Sequence, residues 1–130
     1  MTLTVQQHIA HPILIFTHAG LVTANEVLEG CDLLVQLCEN DTYDAVIDLT
    51  EAMYVWESVS INSMVQMMVA FGHSYVRHIT YVIPGAEHHD LAEVLREGYA
   101  HANLTYKLSF TNTPADAIME ITVCGAGRSV

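Results

Sequence analysis

Apolar residues recur along this chain with two alternating periods. From Leu3 to Ile9 they alternate with polar ones, and Ile13 to His18 forms a second short apolar run. His11-Pro12 lies between them and interrupts any continuing strand, so the pair predicts an antiparallel hairpin. After Gly20 the period changes: Val27, Leu28, Cys31, Leu34, Val35 and Cys38 fall at the i, i+3, i+4, i+7 positions of one helix face. Thr23-Ala24-Asn25-Glu26 precedes them, and a Thr with a Glu three residues on can satisfy the orphan amides of a helix start.

Asn40-Asp41 supplies turn chemistry, and Ala45-Val46-Ile47-Asp48-Leu49 follows as a nearly unbroken apolar run. A strand covered by helices on both faces reads this way. Thr50 to Glu57 has no clear period and is expected to be a loop. Ile61, Met64, Val65, Met68 and Phe71 return to helical spacing until Gly72, and Ile79 to Ile83 is another β-branched run, closed by Pro84-Gly85. Leu91, Val94, Leu95, Tyr99 and Ala102 trace a third helical stripe. Tyr106, Leu108 and Phe110 alternate with polar neighbours, as a strand with one more exposed face does. Thr113-Pro114-Ala115-Asp116 then offers a capping Thr, a Pro at the first helical position and an acid near the positive end of the dipole. The helix it opens should end near Ile121.

The resulting order, ββαβαβαβα, predicts an α/β fold: a mostly parallel sheet with right-handed crossovers behind an N-terminal antiparallel hairpin. One domain is expected over residues 1–123. The segment from Cys124 to Val130 has two glycines and no period, and should be a flexible tail.

Composition supports a globular chain. Hydrophobic residues are 52% of the 130 and charged ones 15%, far from the profile of disordered sequences. Fifteen acids against four bases give a formal charge of −11, a field that repels phosphate backbones and anionic headgroups. Nucleic acid is therefore not an expected partner, and a neutral or basic protein is. No basic stretch followed by an apolar one opens the chain, and no apolar run approaches the roughly 20 residues that span a bilayer. The expectation is a cytoplasmic protein without membrane insertion.

Little in the chain points to catalysis or to a cofactor. The three cysteines, Cys31, Cys38 and Cys124, read as buried thiols with no Lys or Arg near the first two to favour a thiolate. Among the eight histidines no pair falls at i, i+4 on one helix with a carboxylate third ligand, so no metal is expected. His8 and His11 straddle the predicted hairpin turn, while His18, His73, His78 and His101 stand isolated. Gly125-Ala126-Gly127 is misplaced for a phosphate loop, no nucleophile elbow occurs, and Asp48 with Glu51 has no second reacting group beside it.

Three short pieces, in order, carry a resemblance. Gly20-Leu21-Val22-Thr23-Ala24-Asn25-Glu26 resembles the Gly-x-x-Thr-x-x-(Asp/Glu) start of the first helix in the STAS superfamily. Val46-Ile47-Asp48-Leu49-Thr50 resembles its central strand ending in Asp-Leu-Ser, and Phe110 to Ile118 resembles its last strand and helix start. The superfamily includes bacterial anti-sigma-factor antagonists and SpoIIAA-like proteins, and shares its fold with Sec14-type lipid carriers. The resemblance implies a regulatory, protein-binding module with a kinase-like or regulator-like partner. In the antagonists a kinase phosphorylates a Ser within Asp-Ser-Ser-Gly at the start of the second helix. Ungapped counting from the Asp48 strand lays Trp56-Glu57-Ser58-Val59 over that motif. Ser58 then takes the phosphoacceptor position, with Trp56, Glu57 and Val59 departing from the family residues; as a residue type in that place Ser58 also serves as a helix N-cap.

Ligands of open parallel sheets sit outside the carboxyl ends of the strands, and the segment from Thr50 to Asn62 leaves such an end. Tyr54, Trp56, Glu57, Ser58, Asn62 and Met67 are the expected partner-binding residues, with the two aromatics as anchors. The alternative is a carrier of an apolar small molecule or lipid, with a cavity beside the Met-rich second helix. A homodimer stays open.

Overall fold

The computed structural model describes residues 2–8, 10–37, 43–53, 65–66, 76–83, 85–100 and 107–128. Strands β1 (Thr2–Gln7) and β2 (Ile13–Leu21) lead to helix α1 (Ala24–Leu37). Strands β3 (Tyr43–Met53) and β4 (Val76–Val82) follow, then α2 (Gly85–Ala100), β5 (Lys107–Thr111) and α3 (Pro114–Arg128). Val65 and Gln66 are helical, in the place of the helix predicted between β3 and β4.

The five strands form one sheet in the order β1-β2-β3-β4-β5. The first pair is antiparallel and the other three are parallel, the α/β arrangement the periodicity predicts. Parallel neighbours added always in one direction through right-handed crossovers place the crossover helices on a single face. The packing agrees. Leu14, Phe16, Ala45, Ile47 and Ile79 share one core with Val27 of α1, with Val65, and with Leu95 and Tyr99 of α2. On the opposite face Ile13, Val46 and Val82 meet Ala117 and Ile121 of α3. Strand β3 is thus buried on both faces from Asp44 to Leu49, which explains its unbroken apolar run.

Helix α2 is fixed to the sheet by aromatic contacts. Tyr81 stacks on Phe110 with ring centroids 5.6 Å apart, and its hydroxyl meets that of Tyr99 at 3.1 Å. The Arg96 guanidinium lies 5.0 Å from the Phe110 ring centroid. Gly98 allows a close approach: a Cβ there would stand 3.1 Å from Val65 Cγ2.

Three elements are longer than their sequence period suggests. Strand β2 continues past His18 to Leu21, and β3 past Leu49 to Met53, so Thr50 to Met53 belongs to the sheet and not to the expected loop. The cause is a bulge. Thr17 pairs with Asp48, but Ala19 pairs with Glu51, so β3 carries one extra residue there. The slip breaks the alternation by which a strand is recognised. Helix α3 also runs on to Arg128, well past Ile121, so the segment expected to fray as a tail is helical as far as that residue. Each added helical residue closes one more hydrogen bond, and a Gly costs only about 0.5–1 kcal/mol against Ala, too little for Gly125 and Gly127 to end the helix.

Gly20 follows the bulge with φ 79°, where a side chain is strained by about 1–2 kcal/mol. Gly20→Ala should lower the stability to unfolding by that amount without altering the fold, read as a shift of the urea midpoint; an unshifted midpoint contradicts the need for glycine.

Candidate functional site

The carboxyl ends of β2 and β3 form a rim beside the start of α1. Leu21 and Met53 face each other in register there, 59% and 65% exposed, and the Val22 amide donates to the Met53 carbonyl at 2.8 Å. Two large apolar side chains therefore stand in solvent side by side on a stapled pair of strand ends. The chain continues from Met53 directly into the stretch carrying the expected anchors. Those residues, Tyr54, Trp56, Glu57, Ser58, Asn62 and Met67, lie outside the described residues.

The rim is held by two side-chain turns, both in the pieces that carry the resemblance. Thr23 caps α1: the Glu26 amide donates to Thr23 Oγ1 at 3.2 Å, and the Thr23 hydroxyl donates to Glu26 Oε1 at 3.2 Å. This is the reciprocal Thr-Glu start that the sequence predicts, closed through the hydroxyl. Asp48 secures the other side. Its Oδ1 accepts from the Thr50 amide at 3.0 Å and from the Thr50 hydroxyl at 2.6 Å, an Asx turn that occupies the bulge.

Beneath these turns lies a group whose neighbours are distant in sequence. His18 is 1% exposed, and its ring rests against α1, where a methyl on Gly30 would stand 3.7 Å from Cε1 and Nε2. Burial holds its pKa below the ordinary 6.5, while the negative charges of Glu26 and then Asp48 act in the opposite sense. His18 Nδ1 and Glu26 Oε2 are both closed to solvent and have no hydrogen-bond partner among the described residues. In the sequence His18 stands as an isolated histidine that closes the Ile13 to His18 apolar run.

A second polar cluster lies under α3. His78 Nε2 meets Ser109 Oγ at 2.8 Å, and Ser109 Oγ meets Thr80 Oγ1 at 2.8 Å. Glu120 Oε1 stands 3.9 Å from the same His78 nitrogen. A Ser-His pair at this distance could be taken for a nucleophile and its base. In a triad, however, the acid holds the nitrogen remote from the serine, and here Glu120 approaches the nitrogen that Ser109 uses. The cluster ties β4, β5 and α3 together. At the amino ends of the strands, Arg77 pairs with buried Asp44 at 3.5 Å, and the His8 and His11 rings stack with centroids 5.4 Å apart across the hairpin turn.

Among the described residues no three His, Cys, Asp or Glu side chains gather as a metal-binding group, and no helix is long and apolar enough to cross a membrane. The cavity imagined for a carrier would lie beside Met67, which is outside the described residues. At Val65, two residues earlier in the sequence, the packing against Gly98 is tight.

No family model matches the chain, and no curated protein matches it. A solved structure does: an uncharacterized protein of the DUF3478 family from Shewanella loihica PV-4, with a SpoIIAA-like fold. It aligns with a TM-score of 0.59 over 90% of each chain, at 16% sequence identity. The chain has a SpoIIAA-like fold. Its rim corresponds to the end of the central strand and the start of the first helix, the two joints at which the sequence resemblance to the superfamily was read.

The His18 site makes stability depend on pH. The unfolded chain takes up the proton near 6.5 and the folded chain only below that. Between those values the unfolded state binds more protons, so this contribution to stability is lost as pH falls below about 6.5. His18→Gln should remove that component from a plot of urea midpoint against pH; equal slopes for variant and wild type would refute it. Thr23→Ala, which removes the α1 cap, should cost about 1 kcal/mol in the same assay.

Proposed function

We propose that this chain is a non-catalytic regulatory module that docks a protein partner at the carboxyl rim of its sheet. Leu21 and Met53 open the contact face, and Tyr54, Trp56, Glu57, Ser58, Asn62 and Met67 extend it. The observation that carries this reading is the pair of exposed apolar side chains in register at that rim. Apolar side chains that stand together in solvent mark contact surfaces more often than scattered ones do, and this pair adjoins the segment in which ungapped counting puts Ser58 at the antagonists' phosphoacceptor position. The SpoIIAA-like fold is compatible with such a role.

The chemistry of the partner follows from charge. With a net charge of −11, the module repels acidic proteins and attracts a neutral or basic one, more weakly as salt rises. Ser58 is the proposed phosphoacceptor: a phosphate there would add nearly two negative charges beside Glu57, recruiting an Arg-bearing surface and repelling an acidic one.

A basic partner recovered from the native cell should bind the purified module with an affinity that depends on the rim. Replacing both side chains (Leu21→Ser with Met53→Ser) should weaken binding at least about tenfold, given about 1.5–3 kcal/mol for each fully buried side chain. Met119→Ser, on the exposed side of α3, should leave it unchanged. Titration calorimetry with the three proteins decides the matter, and a double variant that binds like wild type removes the rim from consideration.

A further inference from the structure

We propose that His18 is a proton-operated switch for the rim: on protonation it draws Glu26 away from Thr23 and loosens the first turn of α1 together with Leu21. The inference deepens the proposed docking function and rests on it for its consequence, pH-dependent binding.

The geometry is that of a proton acceptor enclosed beside a carboxylate held by one long hydrogen bond. His18 is almost wholly enclosed, so an imidazolium there needs an anion close by. Strand β1 presents the apolar Leu3 to the same spot as Gly30 of α1. Strand β3 supplies Asp48, whose Oδ1 is already engaged by both Thr50 donors. Helix α1 supplies Glu26, while its Glu29 and Asp32 are exposed. Glu26 lies one turn before Gly30, against which the His18 ring rests, and of the two carboxylates that act on His18 it is the looser. Its Oε1 takes one 3.2 Å hydrogen bond from Thr23, and its Oε2 is enclosed without a partner among the described residues. With charge on both partners, a bond between protonated His18 and Glu26 is stronger than the long bond from the neutral Thr23 hydroxyl, so protonation favours moving Glu26 inward and gives up the hydroxyl bond that orients Thr23 as the cap of the Glu26 amide.

The consequence reaches the rim through the backbone. Thr23 is joined to His18 by a short path that turns at Gly20, φ 79°, and Val22 is stapled to the Met53 carbonyl. Release of the Thr23 turn therefore acts on both exposed apolar residues.

The test reads the rim with no partner present, which separates its failure from that of the docking function. Nuclear magnetic resonance of the intact chain, from about pH 7.5 to about pH 5, follows the His18 ring and the hydrogen-exchange protection of individual amides. As His18 titrates, protection at the Glu26 and Val27 amides should fall about twofold to tenfold, the worth of the one hydrogen bond given up, while Val46 and Ile47 in β3 stay protected. In Glu26→Gln the His18 titration should move to lower pH and the first-turn protection should become insensitive to it; in His18→Gln that protection should likewise be flat. Three results overturn the proposal: a His18 ring that stays neutral until the whole chain unfolds, first-turn protection in His18→Gln that follows the wild-type curve, or an unmoved His18 titration in Glu26→Gln.

Discussion

The structure depends on the burial of β3 on both of its faces. Paired in parallel with β2 and β4, this strand has to be covered by α1 and α2 on one side and by α3 on the other. A strand so enclosed cannot slip by one residue without turning Val46 and Ile47 into the wrong cores. Any irregularity has to be placed where the enclosure ends, and the bulge lies there, between the Thr17–Asp48 and Ala19–Glu51 pairs. Beyond it Thr50, Glu51 and Met53 are exposed. The exposed rim is thus a consequence of how the central strand leaves its core.

The same enclosure explains why the polar side chains inside the sheet are so differently satisfied. Asp48 sits at the edge of the burial and uses the bulge to collect two donors from Thr50. His78 and Thr80, on the α3 face, converge on Ser109 of the neighbouring strand, because residues two apart on a strand share a face and Ser109 lies opposite Thr80 in register. Asp44 at the other end meets Arg77. His18 differs, since it lies against the backbone of α1 at Gly30, and its Nδ1 has no partner among the described residues. An unsatisfied buried polar atom costs stability, and here it belongs to a histidine on which the carboxylates of Glu26 and Asp48 act.

Local chemistry in the sequence was legible where the physics is local. The Thr23–Glu26 start of α1 and the Thr113-Pro114 start of α3 are both present, the latter with the Asp116 amide donating to Thr113 Oγ1 at 3.1 Å. The both-face burial of Ala45 to Leu49 followed from their unbroken apolar run. What periodicity could not show is whatever depends on register. The bulge hid the last part of β3, because one inserted residue makes Thr50 to Met53 look aperiodic. It likewise hid the surroundings of His18, whose charged neighbours come from a helix and from another strand. The only local signal was a histidine on an apolar strand face, which reads as ordinary core. The expected partner-binding residues Tyr54, Trp56, Glu57, Ser58, Asn62 and Met67 lie outside the described residues, and the exposed Leu21 and Met53, which no sequence pattern singles out, define the rim.

In the proposed docking function, charge and apolar surface divide the work of recognition at such a rim. A field of −11 acts over about one Debye length, roughly 8 Å at physiological salt, and so governs which partners approach and how fast. It is too diffuse to select a face of the module. Apolar contact has no reach but is confined to where side chains stand exposed, and it mainly sets how long a complex lasts. Leu21 and Met53 supply that locality at the ends of two paired strands, a rigid platform whose ordering cost is already met by the sheet. In the docking function proposed for it, small movements of two backbone turns would change how long a partner stays, with the core that positions them left intact.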